Sequence, residues 1–312
     1  MATAEMITPR RKRFERSVVP NPIQITERDL HLLVHVGRHR FLSSAQLVAL
    51  DGGSPQNVLR CLRALFDHGY LDRPKSQLAS MPLGPQAMVY GLAPKGARLL
   101  REHGYHLTGA GDWTEKNKRA GAIFLEHTLA VADFMTALEL SCRARSDLNL
   151  IREHEIIASA PEETRIAREP LRWVVRPERG RNETWSVIPD GLFALSFEDG
   201  TASYFLLEID RGTIPIVRNS LDHRSIARKL ATYYEGWRVN RHVEQFGVKQ
   251  MRVLLVTEST ARVQNMLSAV DQVTGGRGSN FFLFVDRSAL SQGGPLQTQW
   301  LSGKRRATKL TD

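Results

Sequence analysis

The stretch Ser186 to Thr213, SVIPDGLFALSFEDGTASYFLLEIDRGT, limits the fold more than any other part of the chain. Two apolar runs, TWSVIPDGLFALSF and ASYFLLEIDRGT, are joined by EDGT, a hairpin signal. Acids stand at the ends of these runs. Asp190 follows Pro189 directly, and Glu208 and Asp210 close the second run. Acids at strand ends cost desolvation energy unless something pairs with them. The stretch therefore reads in one of two ways: ordinary hairpin strands whose acids face water, or the edge of an acidic site.

Its surroundings set the fold class. A long amphipathic helix, IFLEHTLAVADFMTALELSCRAR, comes first, with Leu125, Leu129, Ala132, Phe134, Leu138 and Leu140 as apolar positions. Glu126, Ala130, Asp133 and Ala137 share a small, acidic face at steps of three and four. Strand-like runs LNLIREHEII and RWVVRPE precede the hairpin, the latter set off by the polar segment Arg179 to Glu183. After the hairpin come a helix over 221–238, a strand in QMRVLLVTES, a helix in TARVQNMLSAVDQV, a strand in NFFLFVDRSAL, and the short PLQTQWLSG. Strands before helix 221–238 read as antiparallel and those after it as parallel crossovers. The expectation is a three-layer α/β domain over 118–300 with a mixed sheet.

The front of the chain has helical periods and tight turns. Thr26 caps TERDLHLLVHVGRH, Ser44 caps a short second helix ending at Gly52, and Ser54-Pro55 opens SPQNVLRCLRALFDHGYL. Val58, Leu62, Leu65 and Phe66 form the buried stripe of the third helix, while Gln56, Asn57, Arg60 and Arg63 lie off it. Two short strands around a Pro/Gly-rich tip follow, and then the helix KGARLLREHG. This predicts a winged helix-turn-helix over 26–108. Used on DNA, the third helix enters the major groove with Gln56, Asn57, Arg60 and Arg63, and Arg73 and Lys75 of the wing touch backbone. Used on protein, the same unit is a docking module.

Charge favours the first use. The 312-residue chain carries a formal charge of +10 and a pI near 9.9, which points to a polyanion such as double-stranded DNA. RRKR at Arg10–Arg13 lies in a basic flexible arm, 1–25, and KRRATK at Lys304–Lys309 in a basic tail, 301–312. Such arms hold phosphates without reading sequence, or merely aid solubility. The length suits two domains. No apolar run reaches the ~20 residues of a membrane helix, and no apolar segment follows the N-terminal basic residues as in a signal peptide. Cys61 and Cys142 lack neighbouring metal-ligand partners and read as reduced thiols of a cytoplasmic protein.

Hard divalent cations, Mg²⁺ or Mn²⁺, take oxygen ligands, and Asp190, Glu208 and Asp210 offer them from neighbouring strands. Glu208 and Asp210 share one side of their strand by the two-residue period. An ion held there stabilises charge on a phosphate undergoing cleavage. Glu126 is the acid of the preceding helix, and Lys229 of the following helix supplies an ammonium. Arg211 should face away, and Arg228 neighbours Lys229. His127, Tyr233 and Tyr234 read as packed residues, and TGGRGSN (274–280) as a loop, since it lacks the Gly-Lys-Ser/Thr ending of a phosphate-binding loop.

Taken in order, YGLAPKGARLL, LEHTLAVADFMTAL, IPDGLFAL, FLLEIDRGT and IARKLATYYEGW resemble the replication-relaxation family of plasmids and other mobile elements, over residues 26 to 260. That family is similar to plasmid mobilisation relaxases with a restriction-endonuclease-like domain, whose motif is Pro-Asp followed by Asp/Glu-X-Lys. The resemblance implies an endonuclease or nickase acting at an origin or transfer site, alongside plasmid replication or mobilisation proteins. It assigns the metal to Asp190 and Glu208, with Asp210 and Glu126 assisting and Lys229 as the cation. The motif's lysine position holds Asp210 here. The alternative is a DNA-binding replication or transcription regulator with a degenerate nuclease fold.

Overall fold

The structure is a computed structural model and describes residues 12–79, 87–105, 107, 113–177, 183–216 and 225–312. Arg10 and Arg11 of the arm, the tip of the expected wing, the start of the linker TGAGDWTEKNKRAGA, residues 178–182 and the first turn expected before Ser225 lie outside these residues. The chain divides into two units, residues 1–133 and 134–312.

In the first unit, α1 (Glu27–His39) opens with Thr26 accepting from the Asp29 N–H at 3.3 Å, while Asp29 accepts from the Thr26 N–H at 3.0 Å. This is the capping box in its aspartate form. β1 (Phe41–Ser43) leads into α2 (Ser44–Asp51), capped by Ser43 rather than by the expected Ser44, because Gln46 reaches back to the Ser43 N–H at 2.7 Å. α3 (Pro55–Asp67) begins at its proline, as predicted. β2 (Leu71–Asp72), a 3₁₀ turn over Lys75–Leu78, β3 (Val89–Leu92) and α4 (Pro94–Glu102) follow, and then α5 (Trp113–Arg119). The strands form an antiparallel sheet in the order β1-β3-β2. Leu32, Leu33, Val36, Leu47, Val58, Leu62 and Leu65 fill the core, all fully buried. The arm is only partly an arm: Arg16 donates to the Phe66 carbonyl at 2.8 Å and to Asp72 at 2.6 Å.

α6 (Ala122–Arg143) carries the chain from one unit into the next, so the boundary falls inside a helix rather than in the expected linker before residue 118. The cause is local. Leu125 and Ala120 pack with Phe41 and Val89, which ties the start of the helix to the first unit.

The second unit runs β4 (Leu148–Arg152), α7 (Glu153–Ser159), α8 (Glu162–Ile166), β5 (Trp173–Val175), β6 (Trp185–Val187), β7 (Gly191–Phe197), β8 (Ala202–Ile209), α9 (Ile226–Arg238), α10 (Arg241–Phe246), β9 (Arg252–Thr257), α11 (Thr260–Thr274), β10 (Phe282–Asp286), α12 (Arg287–Gln297), β11 (Trp300–Ser302) and β12 (Ala307–Thr308). The main sheet has seven strands in the order β12-β11-β10-β9-β8-β7-β4. β4, β7 and β8 pair antiparallel, while β8, β9 and β10 are parallel, as the element order predicts. α9 and α11 cover one face, with Leu230, Tyr233, Val263 and Met266 against Leu192, Leu206, Val253, Leu255 and Phe284. Phe134 of α6 covers the other, 6.1 Å from Phe193 and 6.2 Å from Trp300 between ring centroids. The protein is of mixed α/β class.

Four expectations need correction. The run LNLIREHEII is strand only to Arg152, because Glu155 accepts from the Arg152 N–H at 2.9 Å and starts a helix. TWSVIPDGLFALSF is two strands: β6 pairs with β5 in a separate ribbon, and Pro189-Asp190 breaks the run before β7. NFFLFVDRSAL turns helical at Arg287, where Asp286 caps α12 by accepting from the Ala289 N–H at 3.0 Å. The basic tail is folded, since β11 and β12 extend the sheet and Leu310 is fully buried, while Lys304, Arg305 and Arg306 stay at the surface.

Gly236 on α9 has a packing role. A Cβ there would lie 2.0 Å from the indole nitrogen of the buried Trp173. Cys61 and Cys142 are free thiols, and burial pushes Cys142 up to about 11. Among the described residues, no single helix is long and apolar enough to cross a membrane.

Candidate functional site

The β7–β8 register ends with Gly191 opposite Leu207, and Asp190 lies just before β7, close enough to Glu208 for the two carboxylates to feel each other. Asp190 is fixed by two bonds: its N–H donates to the Leu207 carbonyl at 2.8 Å, and its Oδ2 accepts from the Ile209 N–H at 2.8 Å. Glu208 shares its face with Leu206, the face that α9 covers.

Glu208 is 2% exposed. Two side chains of α9 close over it. Lys229 donates to Oε2 at 2.6 Å, and the Tyr233 hydroxyl donates to Oε1 at 2.6 Å. They stand four residues apart on one helix face, so a single helix delivers both. Burial raises Glu208 above the usual carboxylate range, and Asp190 adds to this, while Lys229 and Tyr233 oppose it. Burial alone would lower Lys229, but Glu208, Asp190 and Asp210 together hold its ammonium above the ordinary lysine value. Burial, and then the facing Glu208, raise the Tyr233 phenol well above its ordinary value.

Asp210 is used differently from its neighbours. It lies just past β8, where its N–H donates to the Val256 carbonyl at 2.8 Å. Its carboxylate takes a two-pronged grip from Arg262, through Nε on Oδ2 and through Nη2 on Oδ1 at 2.9 Å. Thr257 donates to Oδ2 at 2.8 Å. Arg262 also donates to the Ile214 carbonyl at 2.6 Å. Asp210 thus anchors α11 and the chain leaving β8, and three of its roughly four acceptor positions are filled.

Two residues at this end of the sheet are missing from the set that the sequence predicts. Tyr233 is packed in the core, as it reads, and its hydroxyl also donates to the carboxylate of Glu208. Glu153 opens α7 beside the start of β7 and accepts from the Leu192 N–H; burial pushes it up to about 7. Glu153 has no motif to mark it, whereas the i, i+4 spacing of Lys229 and Tyr233 is readable.

The remaining expected residues lie in the first unit. Glu126 is on α6 ahead of the boundary. Gln56 and Arg60 are exposed on α3, and Arg60 donates to Asn57 at 3.1 Å. Lys75 is exposed in the 3₁₀ turn. Arg63 and Arg73 are engaged inside the unit. Arg63 pairs with Asp67 at 2.8 Å, and Arg73 lies 4.1 Å over the Phe66 ring and donates to the Tyr90 hydroxyl at 2.9 Å. Burial lowers Arg73 below its ordinary value.

No curated protein and no solved structure matches the chain. The family model described as replication-relaxation matches residues 33–250, which take in most of the first unit and the whole strand-and-helix frame of Asp190, Glu208 and Lys229. With more than half of its length matched, this chain belongs to the replication-relaxation family.

Proposed function

We propose that this protein is a cytoplasmic DNA-binding protein of a plasmid or other mobile element that nicks DNA at an origin or transfer site, using Mg²⁺ or Mn²⁺ held by Asp190 and Glu208. The meeting of Asp190 and Glu208 at the start of β7, with Lys229 2.6 Å from the latter, carries this reading. The donor set supports it in part. Two carboxylates on adjacent strands give hard oxygen ligands, and Glu208 spends two of its roughly four acceptor positions on Lys229 and Tyr233. Asp210 suits a ligand role poorly, because Arg262 and Thr257 hold it, so it serves as the anchor of the site's floor. When bound, a divalent cation supplies charge stabilisation to a phosphate. Lys229 supplies the ammonium that the strand motif would take from its own lysine, and Glu153 offers a carboxyl that exchanges its proton near neutrality. The element order α6, β4, β7, β8, α9, β9 fits a restriction-endonuclease-like domain.

The first unit fits a winged helix-turn-helix. Gln56, Asn57 and Arg60 of α3 would meet base edges of double-stranded DNA, and Lys75 its phosphates. Arg63 and Arg73 would support the reading helix from behind.

The closed state of Glu208 favours a second reading, in which the protein binds DNA without cutting it and regulates replication or transcription. Supercoiled plasmid carrying the native origin separates the two. With Mg²⁺ or Mn²⁺, the wild type should give open circles, and Asp190→Ala and Glu208→Ala should not. Absence of product from the wild type, or equal product from the variants, refutes the nickase.

A further inference from the structure

At the end of α9 away from Lys229, the second unit has a groove of about 570 Å³ lined by Tyr234, Trp237, Arg238, Phe281, Arg277 and Lys304, among others. Trp237 is 37% exposed, although it sits beside two buried rings. Its ring lies nearly parallel to Tyr234, at 5.8 Å and 23°, and to Phe281, at 5.5 Å and 26°. Separations of this size are offset contacts rather than sandwiches, so part of the indole face stays open. A large exposed indole in a positively charged chain needs a reason.

Arg238, Arg277 and Lys304 line the groove, and among the described residues no acid does. Nearby, Glu235 pairs with Arg238 at 3.3 Å, and Asp271 with Arg305 at 2.5 Å, which leaves Arg277 and Lys304 as the groove's main cations. Glycines bring the cations together. Gly278, at φ 60°, and Gly303 let the loop after α11 press against the turn between β11 and β12; a Cβ on either would come within 2.5 Å of a backbone oxygen across the contact. Arg277 and Lys304 are the neighbours of those two glycines, so the close approach delivers both side chains to one groove. The glycine-rich loop and the basic C-terminal segment, to which no motif gives a role, meet here.

We infer that this groove is a binding site for single-stranded DNA, with one base stacked on Trp237 and the flanking phosphates held by Arg277, Lys304 and Arg238. An open indole face beside a cluster of cations is the chemistry that sequence-tolerant single-strand binding uses. Duplex DNA keeps its bases stacked on each other and cannot offer one to Trp237. A free nucleotide shares the base-plus-phosphate chemistry, but the three cations are exposed at an open surface rather than closing a cavity, which suits a passing strand. Neither Asp190 nor Glu208 takes part, so the groove can bind a strand whether or not the protein nicks DNA.

Anisotropy with fluorescein-labelled dT₁₂ and a labelled duplex of the same length, over a salt series, tests it. Trp237→Ala should weaken dT₁₂ binding by about 5- to 150-fold, the worth of one stacked base, and leave duplex binding unchanged. Trp237→Phe should restore most of that affinity. Arg277→Glu with Lys304→Glu, both at the surface, should cut the salt slope for dT₁₂ by about 1.4, or ~0.7 for each phosphate no longer neutralised. Wild-type dT₁₂ affinity in Trp237→Ala and in the double charge reversal overturns the inference. Equal weakening of dT₁₂ and duplex binding in Trp237→Ala also overturns it, and so does displacement of dT₁₂ by dTTP at matched concentration.

Discussion

Replacing Lys229 with methionine tests whether Glu208 depends on a single cation. Glu208 is 2% exposed and has two hydrogen-bond donors, Lys229 and Tyr233, each at 2.6 Å. Methionine keeps the length and removes the charge, leaving a buried carboxylate beside Asp190 with only a phenol to face. Removing one partner of a buried pair costs about 3–5 kcal/mol when the other must stay charged. Two things reduce that figure here. The Lys229 side chain is 28% exposed, so water already screens part of the pair. Glu208 can also take up a proton, and the cost then stops growing at its new pKa.

The pH dependence follows from this. In the variant, the folded-state pKa of Glu208 rises further above its unfolded value of about 4.3, because burial and Asp190 then act without the opposing ammonium of Lys229. A raised acid binds more protons folded than unfolded, so the variant loses stability as pH rises from about 4.3 through that folded value, by up to about 1.4 kcal/mol per pH unit. Wild-type Glu208 is itself raised, which subtracts from the difference. The net expectation is a destabilisation of about 2–4 kcal/mol at pH 8 and no more than about 1 kcal/mol at pH 5. Wild-type Lys229 behaves in the opposite sense: held above its ordinary value, it contributes fully below about pH 10.5, and that contribution goes as pH rises past its folded pKa. Urea denaturation at pH 5, 6.5 and 8 measures both chains, and Glu208→Gln added to Lys229→Met should recover most of the stability missing at pH 8. A destabilisation that is the same at pH 5 and pH 8, or a double variant no better than Lys229→Met, would refute the buried-pair account.

Gly236→Ala should lower stability by about 1–3 kcal/mol in the same assay, because the new methyl would sit 2.0 Å from the Trp173 indole; an unchanged midpoint would mean that α9 and β5 are free to separate there. Arg262→Ala leaves the buried Asp210 carboxylate with Thr257 and should cost about 3–5 kcal/mol. Double substitution with Asp210→Asn should be much less than additive, as coupling energies from a thermodynamic cycle would reveal. Glu153, raised to about 7, costs the folded state stability as pH climbs from its unfolded value to 7. Glu153→Gln should therefore flatten the stability curve between pH 5 and 7 and gain about 1–3 kcal/mol at pH 8, and a variant with the wild-type slope would place that titration elsewhere.

The frame of the second unit is legible in the sequence because its signals are local and strong. EDGT makes the β7–β8 turn with Gly200 at φ 80°, and the apolar runs at β8, β9 and β10 are fully buried strands. The breaks are harder to read. Glu155 and Asp286 start helices by capping backbone N–H groups inside runs whose composition still favours strand, and only the bond itself distinguishes a cap from a polar residue on a strand. The tail misleads for a related reason: its charge is that of an arm, but Trp300 and Leu310 supply two buried anchors, enough to seat two short strands at the sheet edge.

The acids show most clearly what a motif can and cannot carry. A two-residue period puts Glu208 and Asp210 on one side only while the strand continues, and β8 ends at Ile209. Beyond that point the chain is steered by Arg262, which grips Asp210 and the Ile214 carbonyl together. A lysine at position 210 would meet that guanidinium with like charge, so Arg262 and a motif lysine exclude each other. The ammonium must then come from elsewhere, and the first turn of α9, on the sheet face that carries Glu208, supplies it. The aspartate that departs from the strand motif and the lysine on the helix are thus two sides of one arrangement. The pairing of Asp210 with an arginine near the start of α11, and of Glu208 with a lysine in the first turn of α9, is the pattern by which the site can be recognised in sequence.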